Sequence, residues 1–169
     1  MSGDSRGGDP NAEIVGRLSR LVCVHIRDHR GPEADAILRE RERHPWGGYA
    51  FFGGDLEAVR GLVARLRESA RTPLLFASDL ERGLGQQLAG GTSFPPPMAL
   101  GAAAAPGLAR AVGLATAREA RSVGLNCVFA PVLDLVNEPD NPIVCTRAFG
   151  ESPDLVACLL YTSPSPRDS

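Results

Sequence analysis

Four short apolar runs, RLVCVHI (20–26), GGYAFF (47–52), PLLFAS (73–78) and LNCVFAPVL (125–133), recur along the chain with helix-like segments between them. This alternation constrains the fold more than any other feature. The runs have the length and branched or aromatic content of strands covered on both faces. Strands that alternate with helices build a parallel sheet with helical crossovers.

The intervening segments carry helix signals. Pro32 suits the first turn of a helix through EADAILRER, and His44-Pro45 ends it, because a proline disfavours helical geometry in the residue before it. Asp55 is a good N-cap for DLEAVRGLVARLRESA, where Leu56, Val59, Val63 and Leu66 recur at helical spacing while Glu57, Arg60, Arg67 and Glu68 fall elsewhere. A long loop rich in glycine and proline then leads to a helix from Pro106 to about Ser122, and Ser152-Pro153-Asp154 opens a last one. The order is βαβαβαβ followed by the start of another helix.

An open doubly wound sheet and a closed eight-fold barrel both satisfy that order. An open sheet of the nucleotide-binding kind carries a tight glycine turn after its first strand, and that position here reads RDHRGPE. GLGQQL (83–88) has two of three fingerprint glycines, but Leu88 replaces the third, so a dinucleotide site is discounted.

Composition excludes several partners. With 43% hydrophobic and 22% charged residues and a net charge of −2, the 169 residues read as one soluble globular domain. The arginines are dispersed, which argues against nucleic acid. MALGAAAAPGLARAV (98–112) contains Pro106 and Arg110 and is too short for a membrane span. The start, MSGDSRGGDPNAE, lacks the pattern of a secretory signal and is expected to be disordered, which points to the cytoplasm. Cys23, Cys127, Cys145 and Cys158 show no C-x-x-C spacing and read as reduced core thiols; His25, His29 and His44 lack metal-ligand spacing. No metal is expected.

In either architecture ligands gather at the carboxyl ends of the strands, where Asp79, Glu81 and Arg82 follow the third run and Asp134 the fourth. A loop in that place is polar for solvation alone, so position leaves a site and a solvated turn equally open.

Four blocks then occur in order: SDLERG, FPPPMALGAA, TAREARSVGLNCVFAPVLDL and NPIVCTRAFGESPDLVA. Together they resemble the N-terminal domain of glycoside hydrolase family 3, over residues 73–157, with similar strand and helix order back to about residue 16. The resemblance implies the N-terminal half of a (β/α)8 TIM-type barrel in residues 14–157, with residues 1–13 outside it. It also implies a retaining glycosidase acting on terminal β-glycosides, with a β-N-acetylhexosaminidase ahead of a β-glucosidase. A non-catalytic sugar-binding protein is the alternative from another class.

By the same resemblance Asp79 accepts hydrogen bonds from sugar hydroxyls and Arg147 reaches the same sugar; outside that context they read as a loop aspartate and a surface ion pair. Glu119 shares a helical stripe with Leu108, Val112 and Ala115 and is expected in a buried structural pair, and Asp134 is expected to fix its loop. The sequence departs from the family's pattern where Arg82, Gly83 and Leu84 follow Glu81 and where Gln87 replaces a basic residue. Nucleophile and acid/base are expected outside this chain, so catalytic residues are none here, and retaining hydrolysis by two side chains needs no cofactor. The last helix is expected to stop after Ala157, because CLLYTSPSPRDS (158–169) carries two Ser-Pro pairs; it resembles translated sequencing-adapter sequence and is expected to be non-native.

Overall fold

The structure, a computed structural model, describes residues 10–27, 31–138 and 140–162. Their elements run α1 (Pro10–Ser19), β1 (Cys23–Ile26), α2 (Pro32–Arg43), β2 (Gly48–Phe51), α3 (Leu56–Glu68), β3 (Leu75–Ser78), α4 (Pro97–Ala103), α5 (Pro106–Ser122), β4 (Cys127–Val128) and α6 (Pro153–Thr162). All four strands are parallel and lie in the order β1-β2-β3-β4, with His25 opposite Ala50, Ala50 opposite Ala77 and Ala77 opposite Cys127. Each strand is added beside its predecessor. A doubly wound sheet reverses its strand order at a switch point, whereas a barrel wall grows in one direction, so these strands are consecutive staves of a TIM-type barrel.

The two faces of the sheet differ as a barrel wall requires. Tyr49, Phe51 and Phe76 point outward and are fully buried against Val59, Leu62, Val63 and Leu66 of α3. Arg67, in the last turn of α3, lays its guanidinium 5.5 Å from the Phe76 ring centroid. Burying each such aliphatic side chain contributes about 1.5–3 kcal/mol before entropy is counted. The inner face is built of smaller residues. A Cβ on Gly48 would lie 2.8 Å from the Leu75 Cβ and 3.3 Å from the Cys23 Sγ, so these three residues form one layer inside the wall.

Several elements depart from the sequence-based expectation. Residues 10–13 of the segment expected to be disordered are helical, because Pro10 starts a turn that Glu13 and Arg17 favour at opposite ends of the dipole. The loop expected from 79 to 105 contains α4, where Pro97 opens a helix of Met, Ala and Leu that the preceding prolines disguise. Helix α6 continues past Ala157 to Thr162, with Leu159 buried, since the first Ser-Pro pair comes only at 163. Strand β4 is limited to two residues. None of the four cysteines is fully buried; Cys23 and Cys127 lie on strands but face the inside of the wall, and Cys145 and Cys158 are exposed. His29 lies outside the described residues.

Candidate functional site

Strand β3 carries the first part of the site. Ser78, fully buried, donates its hydroxyl to the Phe51 carbonyl at 2.7 Å and ties the end of β3 to β2. Side chains alternate along a strand, so Asp79, one residue beyond it, follows Leu75 and Ala77 onto the inner face at the barrel mouth. Leu80 returns to the core at 2% exposure and thereby fixes its two acidic neighbours, Asp79 and Glu81, in place.

Arg147 arrives from the loop after β4. Asn141 accepts at Oδ1 from the amides of Ile143 (2.9 Å) and Val144 (3.4 Å), which folds the chain into the short 3-10 turn Cys145–Arg147. Cys145 sits in the left-handed region at φ 34° within that turn. The buried Ala148 and Phe149 then anchor the segment on its other side.

The two parts meet in a forked ion pair. Arg147 Nε donates to Glu81 Oε1 at 3.2 Å and to Oε2 at 3.0 Å, and Nη2 donates to Oε1 at 2.6 Å. Nη1 donates to the Ile143 carbonyl at 3.2 Å. The Glu81 side chain is 5% exposed and that of Arg147 47%. Glu81 is therefore the buried anchor and Arg147 the group that meets solvent. Hydrogen bonding and charge from Glu81 hold the Arg147 pKa above its ordinary value, and Asp79 and Asp134 add to that field. Three carboxylates thus surround one guanidinium at the strand rim. Asp79 and Asp134 can accept hydrogen bonds from hydroxyls while the guanidinium donates them from a rigid plane, which suits a neutral polyhydroxylated ligand.

The long loop after β3 frames this rim. Gly83 needs its positive φ of 87°, and a Cβ there would come within 2.5 Å of the Thr92 carbonyl. The Gly85 amide donates to the same carbonyl at 2.9 Å, while Ala89 donates to Gly54 at 2.8 Å and joins this loop to the one after β2. Leu84–Gln86 is a single 3-10 turn, and no helix starts there to receive a pyrophosphate.

The structure brings Arg147 to Glu81 and sets Asp79 and Asp134 within their field. Asp134 is exposed. Glu119 differs from its expectation: it is half-buried and accepts from the Thr92 amide and hydroxyl, so it latches the β3 loop to α5. The buried face of α5 consists of Ala109, Thr116 and Ala120, while Leu108 is 53% exposed. Nothing in the sequence names a partner for Glu81. The signal it offered was an acidic residue beside the apolar Leu80, and the partner lies 66 residues away. Among the described residues no cluster of three or more His, Cys, Asp or Glu side chains could hold a metal ion, and no helix is long and apolar enough to cross a membrane.

Comparison with known proteins gives one family. A beta-hexosaminidase of Tolumonas auensis is 38% identical over 139 residues, a match that covers 78% of this chain and 41% of that protein. Among solved structures, a beta-glucoside phosphorylase, BglX, bound to 2FGlc superposes with a TM-score of 0.80 at 28% identity, covering 88% of this chain and 26% of that one. A glycoside hydrolase family 3 beta-N-acetylglucosaminidase from Paenibacillus sp. str. FPU-7 gives 0.73 at 31% identity, covering 86% of this chain and 29% of that one. The chain thus spans well under half the length of these relatives. Residues 53–162, which hold the Glu81–Arg147 fork and Asp79, match the model of the glycosyl hydrolase family 3 N-terminal domain, and the chain belongs to that family.

Proposed function

We propose that the full-length protein carrying this domain hydrolyses terminal β-glycosides with retention of configuration, and that it prefers an N-acetylhexosaminide. The observation that carries this reading is the rim itself: a guanidinium held by Glu81, flanked by Asp79 and Asp134, on the family's own N-terminal domain. Asp79 accepts hydrogen bonds from hydroxyls of the terminal sugar and Arg147 donates to the same ring. The covalent steps, formation and hydrolysis of a glycosyl-enzyme, fall to a carboxylate nucleophile and a proton donor in the part of the relatives that this chain does not span. The name of the Tolumonas relative supports the hexosaminide. Likeness to a protein named for beta-glucosides supports a glucoside as the second reading. Cys23, Cys127 and Cys145 form no disulfide, which suits a reducing compartment, and we place the reaction in the cytoplasm.

The test is turnover of 4-nitrophenyl N-acetyl-β-D-glucosaminide and 4-nitrophenyl β-D-glucoside by the full-length protein. A higher kcat/KM for the hexosaminide is expected; the reverse order favours the glucoside, and sugar binding without turnover of either favours a non-catalytic role. Residues 1–169 alone are expected to turn over neither.

A further inference from the structure

A guanidinium carries five N–H donors. In Arg147 the Nε–H and one Nη2–H are committed to Glu81 and one Nη1–H to the Ile143 carbonyl. Among the described residues this leaves two donors, one on Nη1 and one on Nη2. Both oxygens of Glu81 are engaged by Arg147, and its side chain is 5% exposed, so Glu81 is poorly placed to meet a ligand itself. The two residues come from different loops, the one after β3 and the one after β4, and the fork spans them.

We infer that Glu81 is the positioning residue of the sugar site: by gripping the Nε side of Arg147 it fixes the plane of the guanidinium and presents its remaining Nη1 and Nη2 donors to adjacent sugar oxygens. The inference rests on the function proposed above and assigns Glu81 a role distinct from that of Asp79. Two features support positioning over simple stabilisation. The buried member of the pair is the one facing away from solvent, and the exposed member is the one with donors to spare. A forked carboxylate also fixes the orientation of a guanidinium, which a single hydrogen bond or a point charge does not.

The experiment is a double-mutant cycle in the full-length protein with 4-nitrophenyl N-acetyl-β-D-glucosaminide. E81Q is expected to lower kcat/KM on the order of 10-fold to 100-fold. R147A is expected to do the same or more, and E81Q added to R147A to cause little further loss, because Glu81 acts only through Arg147. E81D, which keeps the charge one methylene short, is expected to retain intermediate activity. Should E81Q fail to fold, E81D with and without R147A supplies the same cycle. Wild-type activity in E81Q, or losses from E81Q and R147A that add in full, overturns the inference while leaving the glycosidase reading intact. A wild-type protein inert towards both glycosides removes the glycosidase reading, and this inference with it.

Discussion

Asn126 and Phe76 are joined by two hydrogen bonds: the Phe76 amide donates to Asn126 Oδ1 at 2.8 Å, and the Asn126 amide donates to the Phe76 carbonyl at 3.0 Å. The Asn126 Nδ2 also donates to the Leu74 carbonyl at 2.9 Å, so one side chain extends the ladder between β3 and β4 below its two paired residues. N126A leaves the Phe76 donor and the Leu74 acceptor without these partners. We expect a loss of roughly 1–3 kcal/mol in the full-length protein, read as a lower urea midpoint with an unchanged slope. An unchanged midpoint would show that β4 is held by its backbone alone.

Gly101 supports the site from below. It is buried in α4, and a Cβ there would stand 1.6 Å from the Phe149 carbonyl oxygen, two residues beyond Arg147. G101A therefore has to push the Arg147 segment away from α4. A cost of about 1–3 kcal/mol and a fall in kcat/KM are expected together. Gly61 is the control. It lies mid-helix in α3, and a Cβ there would meet nothing within 4 Å, so G61A is expected to stabilise by about 0.4–1 kcal/mol with kinetics unchanged. Equal effects of the two substitutions would refute the close-approach explanation.

How far these features are legible in the sequence depends on how local their causes are. The stripe of Val59, Val63 and Leu66 and the Asp55 cap act within one helix, and Asp55 Oδ1 does accept from the Ala58 amide at 2.9 Å. The strand runs are local too, since both faces of a barrel stave are covered. Helix α4 was hidden because its prolines and Gly101 read as loop, and only the contact with Phe149 shows why a glycine stands there. The stripe of Glu119 with Leu108, Val112 and Ala115 is not the packed face, because helical periodicity reports a face but not which neighbour meets it; small Ala109, Thr116 and Ala120 face inward instead. Asp79 and Arg147 stood out through the family blocks. Glu81 stands on the same rim in the sequence, but its pairing with Arg147 is visible only in the fold, since 66 residues separate the two.

Acid sensitivity is built into the contact between α2 and α3. Arg65 Nη2 donates to Asp35 Oδ1 at 2.6 Å, and this bond, with the Arg65 charge, holds the Asp35 carboxyl below its ordinary value of 3.8. A carboxyl depressed on folding contributes stability above its unfolded pKa, and that contribution is lost as pH falls through the folded value. R65M is expected to return the Asp35 titration toward 3.8, followed by the carboxyl carbon shift in an NMR pH series. A titration that stays where it was would assign the shift to Arg39, the lesser cation near Asp35.

The inner face of the wall predicts the behaviour of residues 1–169 produced alone. Strands β1 and β4 stand at the two ends of the sheet, each with one side unpaired among the described residues. Leu75 on the inner face is 44% exposed, and Phe129 and Leu133 after β4 are 49% and 55% exposed. In a closed barrel the remaining staves pair those edges and cover that face. Open edges beside exposed apolar side chains template pairing with another chain. Sedimentation velocity of residues 1–169 is therefore expected to show association that grows with concentration, weakened by a charge at Leu75 or Phe129. A single species of 17.8 kDa at every concentration would mean that four staves satisfy one another and that the edges are closed by some other segment of the chain.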